Sequence, residues 1–470
     1  MRAPVGAGIS GPFPPFSPPA SRRFSPGLLS RVSVNIHWRS HDVNRFPQIR
    51  PAALDPAHQN WWVRDGLRPE THRLQIAGHD AEQLLRHVDR PLFAYDLDRV
   101  EANYMRLHDA FARHGHPFQV FFAVKANRFR PIVETLRATG VAGIDAASPR
   151  EVLYALEMGF PAEKITFTNV SVSHRDIEQL KGLPIMLNCD SLSVINKVAD
   201  VDPGRAIGLR INPQVGVGIN DNLTYAGQRA TKFGIYLDRL PEALELIQKR
   251  GLRLQGLHMH VGCGWTGSAI TQYFQAVDRL TAIARQVIDT HGPLEYLNFG
   301  GGLGVPLTAG DGSVDVNLYA EGIVERVRQL GLGIKVCVEP GDYIVKDSGV
   351  LLSEVVMVEE KGGTEFVGVN TGFNVHTGAS HYGLYQEFVH STRADFGPEK
   401  NVTIVGNINE VIDVFAADRP MPLIEEGDVL AMLNAGGYGA SMMMEHCLRE
   451  PAMQVGLSQK GNPFAQRFDF

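Results

Sequence analysis

Cysteine is scarce in this chain, with four in 470 residues, at Cys189, Cys263, Cys337 and Cys447. They are too scattered to ligate a metal or to staple a disulfide framework, which fits a reducing compartment. Long apolar runs are also missing. No stretch approaches the ~18 residues of a membrane-spanning helix. Positive charge is not in excess either. Forty-five Lys and Arg against 51 Asp and Glu leave a net charge of −6, which removes the electrostatic case for nucleic-acid binding. Acidic side chains nearly vanish over residues 1–50, where Asp42 stands alone among many Pro, Ser and Arg. That composition reads as a disordered tail over residues 1–55. Its Arg- and Ser-rich character resembles a transit peptide, but prolines break an amphipathic helix. A flexible tail or a start assigned too early fits as well. No charged region leads into an apolar one as in a secretory signal, so the expected location is the cytoplasm.

What is present is the composition of a globular protein, 44% hydrophobic and 20% charged, in a chain long enough for two or three domains. From about residue 92 short apolar strands alternate with helix-period segments. The strands read Val120–Val124, Gly143–Ala147, Ile165–Asn169, Ile185–Cys189, Ala206–Ile211, Leu254–His260, Tyr296–Phe299 and Ile334–Glu339. Amphipathic stretches such as Arg130–Thr139, Pro149–Met158, Leu240–Arg250 and Ala269–Thr290 lie between them. Eight parallel βα units predict an α/β fold, a TIM (β/α)8 barrel. An open doubly wound sheet is the other topology this rhythm permits. After Gly341 the pattern changes to β segments: Tyr343–Val358, Glu365–Asn370, Val402–Asn407 and Val429–Asn434. These predict a C-terminal antiparallel β domain completed by strands from residues 70–97, such as Pro91–Tyr95. The expected division is 1–55 tail, 56–97 N-terminal segment, 98–345 barrel and 346–470 β domain.

Ionisable and glycine-rich clusters fall at the strand C-termini, which in a barrel form the catalytic rim. Lys125 ends the apolar run Phe121-Phe122-Ala123-Val124. A lysine there either emerges into solvent or is put to use, and one use is to hold an aldehyde cofactor as a Schiff base. Gly300-Gly301-Gly302 lets backbone N–H groups approach a phosphate closely, or makes a plain tight turn. Glu339, in Val338-Glu339-Pro340-Gly341, places a carboxylate at the last strand end. His258 and His260 share one side of a strand, but no third metal ligand lies near them, and no metal is expected.

Together, in this order, these motifs resemble those of the fold-type III pyridoxal-phosphate decarboxylases, the diaminopimelate/ornithine decarboxylase family. The resemblance spans roughly residues 70–460. It implies an alanine-racemase-like architecture and pyridoxal 5'-phosphate as cofactor. It makes Lys125 the cofactor lysine, its amine nucleophilic because burial or neighbouring charge lowers its pKa. It makes His260 the residue that stacks on the ring, with Asp145 beside the cofactor. It makes Gly300, Gly301 and Gly302 the phosphate loop, helped by Tyr438 in Gly436-Gly437-Tyr438-Gly439. Glu339 is the carboxylate that keeps the pyridine nitrogen protonated. Arg210-Ile211-Asn212-Pro213 and Thr231-Lys232-Phe233-Gly234 also match the pattern.

The pattern then breaks. Family members carry a Cys-Glu pair and a nearby Asp that enter the second subunit's site; here Glu410 and Asp413 align, but Asn409 stands at the cysteine. That cysteine protonates the substrate carbon, and an amide has no usable acidity for the task. Lys125, His260 and a water are the remaining donors. Asp342 replaces the usual arginine after Glu-Pro-Gly; beside a phosphate it must point away or meet a cation. The distal arginine expected before Tyr382 is gone, and His376, Thr377, Ser380 and His381 surround its place. The resemblance thus implies a homodimer with shared sites that decarboxylates an amino acid other than meso-diaminopimelate, with Asp342, Tyr382 and Asp413 at the substrate. An amino-acid racemase or epimerase on the same cofactor, and a non-catalytic regulatory homologue, are the alternatives.

Overall fold

The computed structural model describes residues 60–227, 229–331, 333–465 and 468–469. The tail expected over residues 1–55 lies outside the described residues. Eight strands close into a parallel barrel: Phe118–Ala123, Gly143–Ala146, Ile165–Asn169, Met186–Cys189, Ala206–Arg210, Arg253–His258, Tyr296–Asn298 and Lys335–Val338. The last pairs with the first, Val336 opposite Phe118, so the open doubly wound alternative is excluded. Each strand lies within two residues of its expected position, because a strand buried on both faces reads as a continuous apolar run.

Helices fill the connections, and local chemistry sets their starts. Ser148 accepts the Glu151 N–H at 3.2 Å ahead of Pro149, and Ser173 with Asp176 forms a capping box. The buried ring of Tyr296 lies across the neighbouring barrel strands. A Cβ on Gly256 would meet that ring at 2.6 Å, and one on Gly208 would meet its hydroxyl at 2.1 Å. The tyrosine hydroxyl donates to Asn188 Oδ1 at 2.6 Å, so the buried polar atom is satisfied.

The second sheet is mostly antiparallel. Its central strand, Gly349–Lys361, pairs antiparallel with Leu92–Asp96, Val429–Met432 and Thr364–Val369. Two pairs run parallel instead: Leu92–Asp96 with Met453–Leu457, and Thr364–Val369 with Lys400–Val405. Leu92–Asp96, ahead of the barrel in sequence, is thus a strand of the sheet that comes after the barrel. A separate three-stranded sheet forms from Leu67–Glu70, Arg73–Ile76 and His79–Asp80.

One expected strand is corrected. Tyr343–Val358 does not run as a single β segment, because Asp342–Val345 and Lys346–Ser348 are helical and the strand starts at Gly349. Charge pairs hold the helical turns: Lys346 reaches Asp342, and Asp347 takes the Arg99 guanidinium at 2.5 Å and the Asn103 amide at 2.7 Å. Arg99 and Asn103 come from far along the chain, so tertiary contact overrides the β-rich local sequence.

Candidate active site

The strand C-termini open into a cavity whose lining includes Lys125, Asp145, His260, Cys263, Gly301, Gly302, Glu339, Asp342 and Tyr438. Lys125 sits in a single 3-10 turn, Val124–Ala126, directly after the first barrel strand. The turn is clamped by the loop after the strand Val429–Met432. Tyr438 N–H donates to the Ala126 carbonyl at 2.8 Å, and the Asn127 amide donates to the Gly436 carbonyl at 2.9 Å. The β domain therefore fixes both Tyr438 and the backbone that carries Lys125.

Lys125 Nζ meets Asp145 Oδ2 at 2.5 Å. Burial lowers the basicity of the amine, but the Asp145 carboxylate, its hydrogen bond and the charge of Glu339 outweigh burial and raise it. This corrects the expectation of a lowered pKa. The strand pairing is the reason: Ala123 and Asp145 are in register on adjacent strands, and this sets the carboxylate beside the lysine turn. Burial and the nearby Glu339 push the Asp145 carboxyl upward. The short contact is that of an ammonium with a carboxylate.

Glu339 is buried at the end of the last strand. It accepts from His258 Nε2 at 2.8 Å and Asn298 Nδ2 at 2.6 Å. Burial opposes its charge, but the His258 and Lys125 charges and these hydrogen bonds win and hold its carboxyl well below the usual range. A glutamate that stays ionised in a buried site is suited to keep a nearby ring nitrogen protonated.

His258 and His260 take separate partners. The strand ends at His258, and His260 lies in the loop beyond, its Nδ1 accepting the Gly301 N–H at 3.3 Å. Burial, with the Arg210 and Lys125 charges, keeps its imidazole well below the usual value and neutral. Its ring centroid is 5.3 Å from that of Tyr225, and Nε2 is 3.6 Å from Cys263 Sγ. Arg210 stands behind, 3.6 Å from Asp190 and stacked at 4.6 Å on Phe233. The two sequence motifs 210–213 and 231–234 meet here.

The glycine loop is forced by close approach. A Cβ on Gly300, Gly301 or Gly302 would come within 2.3, 2.0 or 2.0 Å of the carbonyl oxygen of Met259, Glu339 or Gly262. Gly300 and Gly302 also have positive φ, 65° and 104°. Beside Gly302 the indole nitrogen of Trp265 is buried without a partner among the described residues.

A lysine paired to a carboxylate, an ionised glutamate and a glycine loop, set on the rim of a parallel barrel, define a cofactor enzyme of the pyridoxal-phosphate class. Comparison with known proteins agrees. The pyridoxal-binding domain of the pyridoxal-dependent decarboxylases matches residues 97–346. The diaminopimelate decarboxylase of Methanothermobacter thermautotrophicus is 34% identical over 81% of this chain and 90% of its own length. That of Escherichia coli K12 is 31% identical over 75% of this chain and 90% of its own. The crystal structure of diaminopimelate decarboxylase from M. jannaschii, in co-complex with L-lysine, superposes with a TM-score of 0.77 at 26% identity, covering 84% of this chain and 94% of that one. The chain belongs to the pyridoxal-dependent decarboxylase family. It is a pyridoxal-phosphate-dependent carboxy-lyase acting on an amino acid.

The residues present fit that cofactor. They offer an amine for its aldehyde, an ionised carboxylate for its ring nitrogen, and a loop that admits no side chain for its phosphate. The unpartnered Trp265 N–H beside the loop is a further donor without an acceptor.

Of the residues singled out in the sequence, Lys125, Asp145, His260, Gly301, Gly302, Glu339, Asp342 and Tyr438 line one cavity, with Gly300 directly behind. Tyr382, Asn409, Glu410 and Asp413 are not in its lining. Both Asp413 oxygens are taken, by the Phe373 and Ile408 N–H groups at 2.7 Å. Glu410 is exposed and pairs with His446 at 2.7 Å. Asp342 meets a cation: Lys346 Nζ lies 3.2 Å from Oδ2. Sequence reasoning misses Lys346 and Asn298. The four-residue spacing from Asp342 to Lys346 is a usable helix signal, masked by the β-forming residues around it. Among the described residues no helix is long and apolar enough to cross a membrane, and no cluster of His, Cys, Asp or Glu is arranged to hold a metal.

Proposed function

We propose that this enzyme decarboxylates an α-amino acid other than meso-diaminopimelate, in a homodimer whose subunits share residues across their active sites. The observation that carries the substrate reading is Asp342. It lines the cavity as an acid, and no arginine, the cation that would clamp a distal carboxylate, is in the lining among the described residues. The relatives named for diaminopimelate share the fold and cofactor, and this position argues for a different far end of the substrate.

Bound pyridoxal phosphate supplies the electron sink for the carbon–carboxylate bond that breaks. The chain's own part is set by its geometry. Lys125 would hold the cofactor through its aldehyde. Glu339 holds the proton on the ring nitrogen. His260, neutral and fixed by Gly301 N–H, would meet the ring without placing a charge there. The glycine loop, with Tyr438, holds the phosphate. Lys125 Nζ is the basic atom that carries a proton at this point of the cavity, and it takes over the donor's role that the amide of Asn409 cannot fill.

The dimer is supported by the loop that bears Asn409 and Glu410. Val411 at its tip is 96% exposed, and Leu448, on the neighbouring loop that pairs with it through His446, is 87% exposed. Two bare apolar side chains beside Glu410 suit a surface that another subunit covers. The boundaries 56–97, 98–345 and 346–470 belong to the same proposal.

The test is incubation of the purified holoenzyme with L- and D-amino acids, diamino acids included, with carbon dioxide measured and products identified by mass spectrometry. Conversion of meso-diaminopimelate in preference to all others would overturn the substrate reading. Racemisation without carbon dioxide would point to the epimerase alternative.

A further inference from the structure

The loop that carries Tyr438 holds Asn434 and Tyr438 in the left-handed region, at φ 53° and 57°. Asparagine enters that region readily. A bulky tyrosine there is strained and persists only where its surroundings over-determine the backbone. Backbone bonds supply part of the hold. Ala435 N–H donates to the Gly349 carbonyl at 2.9 Å, Gly436 N–H to that of Lys346 at 3.0 Å, and Tyr438 N–H to that of Ala126 at 2.8 Å. The facing wall needs a hold as well. Among the described residues the chain forms no helix or strand from Phe299 to Asp315. Trp265 bonds the backbone of Gly302 and Gly304, and the loop then runs on through Val305 to Pro306. Proline has no N–H, so the chain at Pro306 can be tied only through its carbonyl.

Asn434 makes that tie. Its side chain is buried and both ends of the amide are used: Nδ2 donates to the Pro306 carbonyl at 3.1 Å, and Oδ1 accepts from Arg64 Nη2 at 3.4 Å. Arg64 lies ahead of the barrel in sequence and is itself fixed, donating to the Trp62 and Asp347 carbonyls at 2.8 and 2.6 Å. A guanidinium offers only N–H groups, so the amide oxygen must face it and the amide nitrogen must face Pro306. One buried amide thus joins the N-terminal segment, the barrel and the β domain.

We propose that Asn434 is a positioning residue for the phosphate end of the cavity, tying the loop of Tyr438 to the continuation of the glycine loop, and that Arg64 sets the direction in which the amide faces. This rests on the reading of Gly300–Gly302 and Tyr438 as the groups that hold the phosphate. Neither Asn434 nor Arg64 lines the cavity; they act through the backbone of the two loops. Without the tie the loops are free to separate, which weakens the hold on a phosphate and leaves the Lys125 end of the cavity as it was.

The experiment compares binding of pyridoxal 5'-phosphate and of pyridoxal, which lacks the phosphate, to the apoenzyme, each followed by the visible absorbance of the bound form. Asn434→Gly keeps the left-handed backbone without strain and removes the amide. Asn434→Asp keeps an acceptor for Arg64 but sets a carboxylate against the Pro306 carbonyl. Both variants, and Arg64→Met, are expected to weaken pyridoxal 5'-phosphate binding by about tenfold while changing pyridoxal binding by less than about twofold. Equal loss of both ligands in Asn434→Gly, or loss of neither, overturns the inference. Tyr438→Phe reports on the phosphate reading itself. No selective loss there overturns that reading and the inference with it, whereas selective loss there beside none in Asn434→Gly overturns the inference alone. Retained pyridoxal binding shows that a variant has folded with its cavity intact, and if Asn434→Asp fails to fold, Asn434→Gly decides.

Discussion

The amine of Lys125 and the carboxylate of Asp145 meet at 2.5 Å across adjacent barrel strands. The pair holds the amine in the cavity as an ammonium, the state from which the proposed capture of an aldehyde starts. It also sets the pH at which capture begins, because only the neutral amine is nucleophilic. Asp145→Asn removes the main force that raises the amine and leaves burial, which lowers it. Covalent capture of pyridoxal phosphate, monitored by its visible absorbance, should therefore begin at lower pH in the variant than in the wild type. Lys125→Ala should abolish that absorbance altogether.

Glu339 gives the apoenzyme an acid-sensitive component of stability. Its folded pKa lies below the ordinary 4.5, so the folded state binds fewer protons than the unfolded one in acid. The stability it contributes is complete above about pH 4.5 and is lost as the pH falls through the lower folded value. Thermal unfolding between about pH 6 and pH 3 should show the melting temperature falling more steeply in the wild type than in Glu339→Gln. Equal slopes would show that Glu339 is not held ionised by His258 and Asn298.

Gly301 tests the phosphate loop. Gly301→Ala places a methyl group 2.0 Å from the Glu339 carbonyl, an overpacking that costs about 1–3 kcal/mol and moves the loop and Glu339 together. Equilibrium dialysis should show cofactor affinity reduced by about tenfold or more, with the apoenzyme melting at lower temperature. Unchanged affinity would take the loop out of the phosphate site.

Val411 tests the assembly. Val411→Asp puts a charge on the most exposed apolar side chain of the loop bearing Asn409 and Glu410. Burying that charge in an apolar contact is costly, so sedimentation velocity should show a shift from dimer to monomer. Activity should fall with it, because Glu410 lies outside the cavity of its own chain. A wild-type monomer with full activity would remove the shared site.

The barrel strands and the residues on their ends were legible in the sequence because a strand buried on both faces must be apolar until it emerges, and the polar or glycine residues at the point of emergence stand out. Lys125, Gly300–Gly302 and Glu339 each mark such a point, and the order in which they occur identifies the family and its cofactor. The environments of those groups were not legible. The raised basicity of Lys125 comes from Asp145, 20 residues away in sequence but on the neighbouring strand, in register with Ala123. The ionisation of Glu339 depends on His258 and Asn298, carried by two other strands. The Asp342–Lys346 pair was hidden because its segment has β-forming residues, and it is the contact of Asp347 with Arg99 and Asn103 that holds the turn as helix. The sequence by itself determined the scaffold, the family and the cofactor, since those rest on apolar periodicity and on residue types at strand ends. The tertiary structure decided the charge states of Lys125 and Glu339, because electrostatic interaction and desolvation depend on distances between residues far apart in the chain.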